Sequence, residues 1–134
     1  MQTLFTNQVN LTTPMTTVQT FLAIPQNLIK WIPAIQVATI NQPNQLQITR
    51  TNAAVNSSEL MTIEQTPDGV IYHSTGGKLS YQLNFTLTKV DHATHLSETL
   101  ILIENQTHLP IQLLSPITQH AFNQNLQALK HILQ

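Results

Sequence analysis

The 134-residue chain contains no cysteine, which excludes a disulfide framework and any thiol chemistry. Charged residues are almost as scarce, at 8% of the chain, about a third of their usual share. The five lysines and arginines form no basic patch or stripe, so nucleic acid is not expected as a partner. Asparagine, glutamine and threonine occupy the positions that charges usually hold.

Long apolar runs are also missing. No uninterrupted stretch is long enough to cross a bilayer, so no integral membrane segment is expected. The first ten residues, MQTLFTNQVN, lack the basic start and apolar centre of a secretory signal, and we therefore expect a cytoplasmic protein. A mass of 15.0 kDa predicts a single domain over residues 1–134, large enough to bury a core.

Sequence signatures of metal, cofactor and nucleophile chemistry are absent. The six histidines form no HxxxH or HxH pair with a nearby third ligand, so neither a metal site nor a cofactor is expected. No GxSxG motif marks a nucleophilic serine. Gly76-Gly77 precedes no helix that could bind a phosphate, and its spacing is typical of a hairpin turn.

The most distinctive segment is the amphipathic stretch SPITQHAFNQNLQALKHILQ at residues 115–134. Ser115 is predicted to cap a long helix, with Pro116 at its first position. Whether the helix begins earlier, within residues 109–114, stays open. At 100° per residue the apolar side of this helix contains Leu114, Ala121, Phe122, Leu129 and Ile132.

Two polar residues, Thr118 and Asn125, lie near the middle of that apolar side. One interpretation is that Thr118 bonds a carbonyl one turn back and Asn125 lies at a wet margin. The other is that both side chains face an internal cavity. The sequence leaves both interpretations open.

The first third of the chain predicts one strand and two short helices. Residues 3–11 alternate between apolar and polar, as in a half-buried strand. Thr13 and Pro14 are predicted to begin the first helix, and Pro25 begins a second one that Pro33 ends. Helices this short are marginal alone, so they are expected to pack against the sheet or the long helix.

After Pro33 the hydrophobic period changes to two, and short polar turns separate the apolar runs. Consecutive hairpins predict an antiparallel meander and an α+β fold in which both ends of the chain cover the sheet. The predicted strands are 34–40, 44–52, 57–66, 70–75, 78–90 and 94–105.

Turn chemistry also predicts the strand register. We place two-residue turns at Asp68-Gly69, Gly76-Gly77 and Asp91-His92, and a loop at 53–56. The resulting pairs are Ile48–Met61, Arg50–Glu59, Ile63–Ser74, Gln65–Tyr72, Tyr72–Tyr81 and Phe85–Glu98. In this register every hairpin places its apolar residues on one face.

Several polar side chains fall on that apolar face. Arg50 and Glu59 are predicted to form a cross-strand ion pair, unless they are solvated near the loop. Glu98 lies opposite Phe85 with no assigned cation, so its carboxyl should have a raised pKa or bond a tyrosine hydroxyl. Glu98 is therefore the candidate for ligand contact or proton transfer, with a structural hydrogen bond or a mistaken register as the alternatives.

The segments VNLTTPMTTVQTFLAIPQNLIKWIPAI (9–35) and NLQALKHILQ (125–134) resemble the START/polyketide cyclase-like (SRPBCC) superfamily. The resemblance implies the helix-grip fold: a seven-stranded antiparallel sheet curved around a long C-terminal helix, with two short helices between strands 1 and 2. It also implies a cavity for an apolar ligand between sheet and helix.

Three functions follow from this resemblance and the inner-face residues. The first is a carrier or sensor of a small hydrophobic molecule, such as a lipid, polyketide or aromatic compound. The second is a cyclase- or dehydratase-like enzyme using Glu98 with Tyr72 or Tyr81. The third is a chaperone-associated or other protein-interaction module. The expected ligand-binding residues are Arg50, Glu59, Met61, Tyr72, Tyr81, Phe85, Glu98, Leu100, Thr118, Phe122 and Asn125.

Overall fold

The computed structural model describes residues 1–51 and 56–134 and contains one sheet and three helices. The strands are β1 (Gln2–Leu11), β2 (Ile35–Gln42), β3 (Gln45–Arg50), β4 (Ser58–Thr66), β5 (Gly69–Thr75), β6 (Leu79–Val90) and β7 (Ala93–Asn105). The helices are α1 (Met15–Ala23), α2 (Leu28–Trp31, after a 3-10 turn at Pro25–Asn27) and α3 (Ile111–Leu133).

All neighbouring strands are antiparallel, in the order β1-β7-β6-β5-β4-β3-β2. The sheet curves around α3, so the predicted helix-grip architecture is confirmed. No helix in the described part of the chain has the length and apolar character needed to span a bilayer.

Helix α3 begins at Ile111, one turn earlier than its strongest sequence signal suggests. Ser115 is therefore not its N-cap, and Pro116 lies inside the helix, so both predictions were wrong. The Ser115 hydroxyl instead donates to the carbonyl oxygen of Leu4 at 2.7 Å, where β1 bulges out of register with β7. A side chain that suits a helix cap thus joins the helix to the sheet.

The apolar side of α3 was predicted in part. Leu114 and Leu129 are buried as expected, and Leu126, which the prediction left out, is buried with them. Ile132 is 43% exposed, and Ala121 is exposed at the cavity, so the assignment of these two residues to the buried side was wrong. Thr118 is buried among these residues.

Thr13 does not cap α1, contrary to prediction, since Pro14 holds the cap position with no side-chain hydrogen bond. The Thr13 hydroxyl donates instead to the carbonyl oxygen of Leu133 at the end of α3. Its own carbonyl accepts from the Thr94 hydroxyl at 2.7 Å. These contacts join the segment after β1 to β7 and to the end of α3.

The two short helices pack against the sheet, as predicted. Trp31 of α2 lies against the rings of Tyr72 and Phe85, with centroids 6.5 and 6.0 Å away. The Tyr72 hydroxyl donates to the carbonyl oxygen of Leu22 at the end of α1, at 2.7 Å. These contacts form the core beneath the helices.

The predicted register is confirmed at β6–β7, where Phe85 pairs with Glu98, and is wrong by two residues in three other hairpins. The observed pairs there are Leu46–Met61, Ile48–Glu59, Met61–Ser74, Ile63–Tyr72, Tyr72–Leu83 and Ser74–Tyr81. An error of two keeps every side chain on its predicted face, because strand side chains alternate with a period of two.

Gly69 explains the error at β4–β5. It lies inside β5, paired with Thr66, so Pro67 and Asp68 form the turn. A Cβ at residue 69 would lie 1.8 Å from the carbonyl oxygen of Phe85, so only glycine fits against β6. A residue that suits a turn is thus required inside the sheet. The predicted loop at 53–56 lies, apart from Asn56, outside the described residues.

Candidate functional site

A cavity of about 390 Å³ lies between the sheet and α3 and opens partly to solvent. Most of its wall is apolar, and its polar groups come from the sheet and the segment before β4 on one side and from α3 on the other. Its lining residues are Pro33, Ala34, Arg50, Asn56, Glu59, Leu79, Tyr81, Leu100, Ile117, Thr118, Ala121, Phe122, Gln124 and Asn125.

The structure brings seven of the eleven candidate site residues together around this cavity. They are Arg50, Glu59, Tyr81, Leu100, Thr118, Phe122 and Asn125. Met61, Tyr72, Phe85 and Glu98 lie in the interior but do not line it. The sequence did not single out Asn56 or Leu79, or the residues on the outer edges of the cavity, such as Pro33 and Gln124.

The polar wall is built around the carboxylate of Glu59, whose side chain is fully buried. Arg50 donates from Nε to Oε1 at 3.0 Å and contacts the same oxygen through a terminal nitrogen. Asn56 and Ser74 donate to Oε2 at 2.7 and 2.8 Å, and the Tyr81 hydroxyl lies 3.3 Å away. Both carboxylate oxygens therefore have several donors, as a buried charge requires.

The Arg50–Glu59 ion pair that the sequence suggested is present, although the two residues are not direct cross-strand partners. Glu59 pairs with Ile48 in the ladder, and Arg50 reaches it diagonally from the end of β3. The Arg50 side chain is 11% exposed, so the pair is not a solvated surface feature. Burial, and then the charge of Glu59, raise the pKa of the Tyr81 hydroxyl, which stays protonated.

Asn56 fixes this cluster to the backbone of β6. Its side-chain oxygen accepts from the Leu79 amide at 2.8 Å, and its nitrogen donates to the Leu79 carbonyl at 2.9 Å and to Glu59. A Cβ at Gly77 would lie 2.5 Å from the Asn56 amide carbon. Gly77 is therefore needed because Asn56 packs against it.

The opposite wall of the cavity is α3. Thr118 lines the cavity, as one interpretation of the sequence predicted. Its hydroxyl also donates to the Leu114 carbonyl one turn back, at 2.7 Å, as the other interpretation predicted. Asn125 is half-buried at the same wall. Phe122 packs edge-on against Tyr81 and Phe5, with ring centroids 6.0 and 5.6 Å away. These contacts join the cavity wall to the core.

Glu98 lies outside the cavity, buried beneath α3. Its Oε1 accepts one long hydrogen bond, 3.3 Å, from the Asn7 amide, which also donates to the Gln119 carbonyl at 3.3 Å. Its Oε2 has no partner within residues 1–51 and 56–134. Burial raises the pKa of Glu98 to about 8, and the bond from Asn7 opposes this only in part. Burial, and then the charge of Glu98, raise the pKa of Tyr72 as well.

Two of the histidines make specific contacts on the outer face of the sheet. His73 Nε2 lies 2.9 Å from Glu64 Oε1, and His95 Nδ1 lies 2.7 Å from Asn10 Oδ1. Across the described ranges, no group of three or more His, Asp or Glu side chains is arranged to hold a metal ion. These contacts stay on the outer side of the sheet, away from the cavity.

Solved structures of several other proteins match this chain over nearly its whole length. A START superfamily protein from Mycobacterium smegmatis has a TM-score of 0.78 at 14% identity, covering 96% of this chain and 95% of its own. The protein XoxI from Bacillus cereus has a TM-score of 0.78 at 9% identity, covering 99% and 96%. Ara h 8.0201 has a TM-score of 0.70 at 16% identity, covering 96% and 95%. No protein-family model and no curated protein matches the sequence.

Proposed function

We propose that this protein, which has the START/Bet v 1-like helix-grip fold, binds a small hydrophobic ligand between its sheet and α3 as a carrier or sensor. The observation that carries the proposal is the cavity of about 390 Å³, apolar over most of its wall. Ligand cavities of this kind typically enclose about 300–1,000 Å³ and place a few polar groups among apolar side chains. Fold alone does not assign a function, so the proposal rests on the site.

The polar wall supports a ligand with an uncharged oxygen at one end. Within the described residues, the Arg50 side chain donates hydrogen bonds only from Nε and one terminal nitrogen. Some of its five N–H donors are therefore available to a ligand. Glu59 already accepts from several donors and neutralises Arg50. A neutral carbonyl, ether or hydroxyl oxygen can accept from Arg50 without the repulsion that an anion would meet beside Glu59.

The positions of Glu98 and Tyr72 weigh against catalysis at this cavity. A general acid or base must lie within hydrogen-bond reach of the group that it protonates or deprotonates. Glu98 does not line the cavity, and the Tyr72 hydroxyl is bonded to the Leu22 carbonyl. Tyr81 lines the cavity, but its hydroxyl contacts Glu59. The arrangement favours binding over a cyclase- or dehydratase-like reaction.

The test is a matched pair of variants on α3, read with the uncharged fluorescent dye N-phenyl-1-naphthylamine. Ala121 lines the cavity, so Ala121→Phe should fill part of it and weaken dye binding by at least about tenfold. Gln127 is exposed on the same helix and does not line the cavity, so Gln127→Phe should leave the affinity unchanged. Native mass spectrometry of the purified wild-type protein should also detect a co-purified small molecule.

Two results would contradict the proposal. One is the absence of saturable dye binding to the wild-type protein together with a ligand-free mass spectrum. The other is an equal loss of affinity in Ala121→Phe and Gln127→Phe, which would place the dye outside the cavity. If the apolar cavity binds no ligand, the protein-interaction module becomes the favoured alternative.

A further inference from the structure

Hydrogen-bonding side chains lie on two opposite walls of the cavity, one formed by the sheet and one by α3. A side chain whose donors and acceptors are used within the protein has fewer left for a ligand. The groups that stay free on each wall therefore indicate which chemistry the cavity can recognise.

On the sheet wall, the side-chain donors that stay free belong to one residue. The Tyr81 hydroxyl donates to the Glu59 carboxylate at 3.3 Å. The Asn56 amide nitrogen donates to the same carboxylate and to the Leu79 carbonyl. Arg50 bonds Glu59 through Nε and one terminal nitrogen, so within the described residues it is Arg50 that keeps free donors. A ligand therefore meets this wall best with an acceptor.

On the α3 wall, Asn125 has both kinds of group to offer. Thr118 uses its one proton in a bond to the helix backbone, and Gln124 is exposed at the outer edge of the cavity. Across the described chain, the side-chain hydrogen bonds of α3 are made by Ser115, Thr118 and Gln119. The Asn125 amide therefore keeps two donors and an acceptor.

The position of Asn125 in α3 directs its side chain towards the cavity. It follows Thr118 by seven residues and Phe122 by three, and these spacings place side chains on the same side of a helix. The next buried residues along the helix are Leu126 and Leu129. Leucine would suit both the helix and these apolar neighbours better than asparagine. Helix formation and packing therefore do not explain Asn125, whereas a ligand with a hydrogen-bonding group does.

We propose that the cavity recognises a compact apolar compound with two uncharged oxygen groups at opposite edges, an acceptor such as a carbonyl bound by Arg50 and a hydroxyl bound by Asn125. The proposal rests on the proposed function, because it concerns the same cavity. A hydroxyl suits Asn125, since each can both donate and accept. The compound must be compact because about 390 Å³ lies near the lower end of the usual range for ligand cavities.

Isothermal titration calorimetry with three naphthalene compounds tests the proposal. 6-Hydroxy-2-acetonaphthone carries both oxygen groups, 2-acetonaphthone lacks the hydroxyl, and 2-naphthol lacks the carbonyl. A single oxygen group can use Arg50, so the gain from the second group reports on Asn125. One net hydrogen bond corresponds to about two- to tenfold in affinity. Wild-type protein should therefore bind 6-hydroxy-2-acetonaphthone about two- to tenfold more tightly than either of the other compounds.

Matched variants locate the second anchor. Asn125→Leu replaces the amide with an apolar side chain of similar size and should abolish the preference for 6-hydroxy-2-acetonaphthone over 2-acetonaphthone. Asn123→Leu makes the same substitution two residues away, at a side chain that does not line the cavity, and should keep the wild-type preference. The preference is a ratio of two affinities within one variant, so a general change in affinity cancels. Circular dichroism shows whether each variant is folded, and Asn125→Ala removes the amide if Asn125→Leu does not fold.

Two results would overturn the proposal. One is equal affinity of the wild-type protein for 6-hydroxy-2-acetonaphthone and 2-acetonaphthone, and the other is the same preference in the Asn125 and Asn123 variants. Binding of N-phenyl-1-naphthylamine tests the cavity separately. If this dye binds and the hydroxyl adds no affinity, the second anchor is wrong and the proposed function stands. If neither the dye nor any of the three compounds binds, both are wrong.

Discussion

Two carboxyl groups are buried in this protein, and their surroundings are opposite. Glu59 accepts from Arg50, Asn56 and Ser74 and lies next to a tyrosine hydroxyl. Glu98 accepts a single long bond from Asn7 and has an oxygen with no partner in the described chain. The same residue type on the same face of the sheet therefore has two different environments: Glu59 forms an ion pair with Arg50, and burial raises the pKa of Glu98.

The difference shows that burial alone does not determine the state of an acidic side chain. Removal from water penalises the charge at both sites, and only donors or an opposite charge can compensate for it. The four residues around Glu59 come from β3, β5, β6 and the segment before β4, and these strands lie side by side with β4 in the sheet. Glu98, between β1 and β6, gains only an amide.

Loss of the Glu59 charge should have the largest effect. In Glu59→Gln the amide nitrogen cannot accept from the donors around it, and Arg50 becomes a buried cation without a counter-charge. We expect a loss of about 3–5 kcal/mol in the free energy of unfolding, measured by urea denaturation. Glu64→Gln on the exposed side of the same strand should cost less than about 0.5 kcal/mol. Similar losses in both variants would remove the distinction between them.

Glu98→Gln should stabilise the folded protein rather than destabilise it, and the change in unfolding free energy should depend on pH. A carboxyl whose pKa rises from 4.5 to about 8 on folding disfavours the folded state once it ionises. The stability that the neutral Glu98 side chain contributes to the folded state is therefore lost progressively as the pH rises from about 4.5 to about 8. Relative to wild type, we expect Glu98→Gln to gain about 2–4 kcal/mol at high pH and little at low pH.

The measurement for Glu98→Gln is urea denaturation at several pH values. Glu104→Gln, an exposed change on the same strand, is the matched control and should follow the wild-type curve. A Glu98→Gln curve that stays parallel to wild type at every pH would show that Glu98 does not titrate in this range.

Gly77→Ala tests how Glu59 is held in place. The added Cβ would press on the Asn56 amide, whose three hydrogen bonds oppose its movement. We expect a loss of about 1–3 kcal/mol in unfolding free energy, together with weaker dye binding. Lys78→Ala, at the next residue, should change neither measurement appreciably. Full stability in Gly77→Ala would mean that Asn56 can move at little cost.

Tyr72→Phe should have the smallest effect. It removes the hydroxyl bonded to the Leu22 carbonyl and should cost about 1 kcal/mol in unfolding free energy. Dye affinity should not change, because Tyr72 does not line the cavity. Tyr81→Phe changes a hydroxyl in the cavity wall and is expected to alter dye affinity as well. Changed dye binding in Tyr72→Phe would indicate that the cavity extends towards Glu98.

Element order and the face of each strand could be predicted from the sequence, because both follow from hydrophobic periodicity. In three of the four hairpins the strand pairs could be predicted only to within two residues, because a slip of two leaves the apolar face unchanged. Gly69 illustrates the missing information: its place inside β5 depends on the approach of Phe85 from β6, which no local pattern records. The prediction that Ser115 caps α3 was wrong for a similar reason, because its hydroxyl bonds the carbonyl of Leu4, which is far away in the sequence.

The site was predictable to a similar degree. Arg50 and Glu59 stood out because charges are rare on an apolar face. Asn56 did not, because its role depends on the Leu79 backbone, and its sequence neighbourhood resembles an ordinary polar loop. The alternation that placed Glu98 on the inner face was correct, but it does not show which inner-face residues line the cavity and which are buried in the core.

The period of two has a consequence for how this protein can change during evolution. A hairpin turn that gains or loses an even number of residues leaves each cavity-facing side chain on its own side of the sheet. An odd insertion that shifts the pairing would turn Glu59 and its neighbours outward together. Length variation at the tips of these hairpins is therefore expected to occur in pairs of residues, or to be absorbed by a bulge, wherever the cavity is retained.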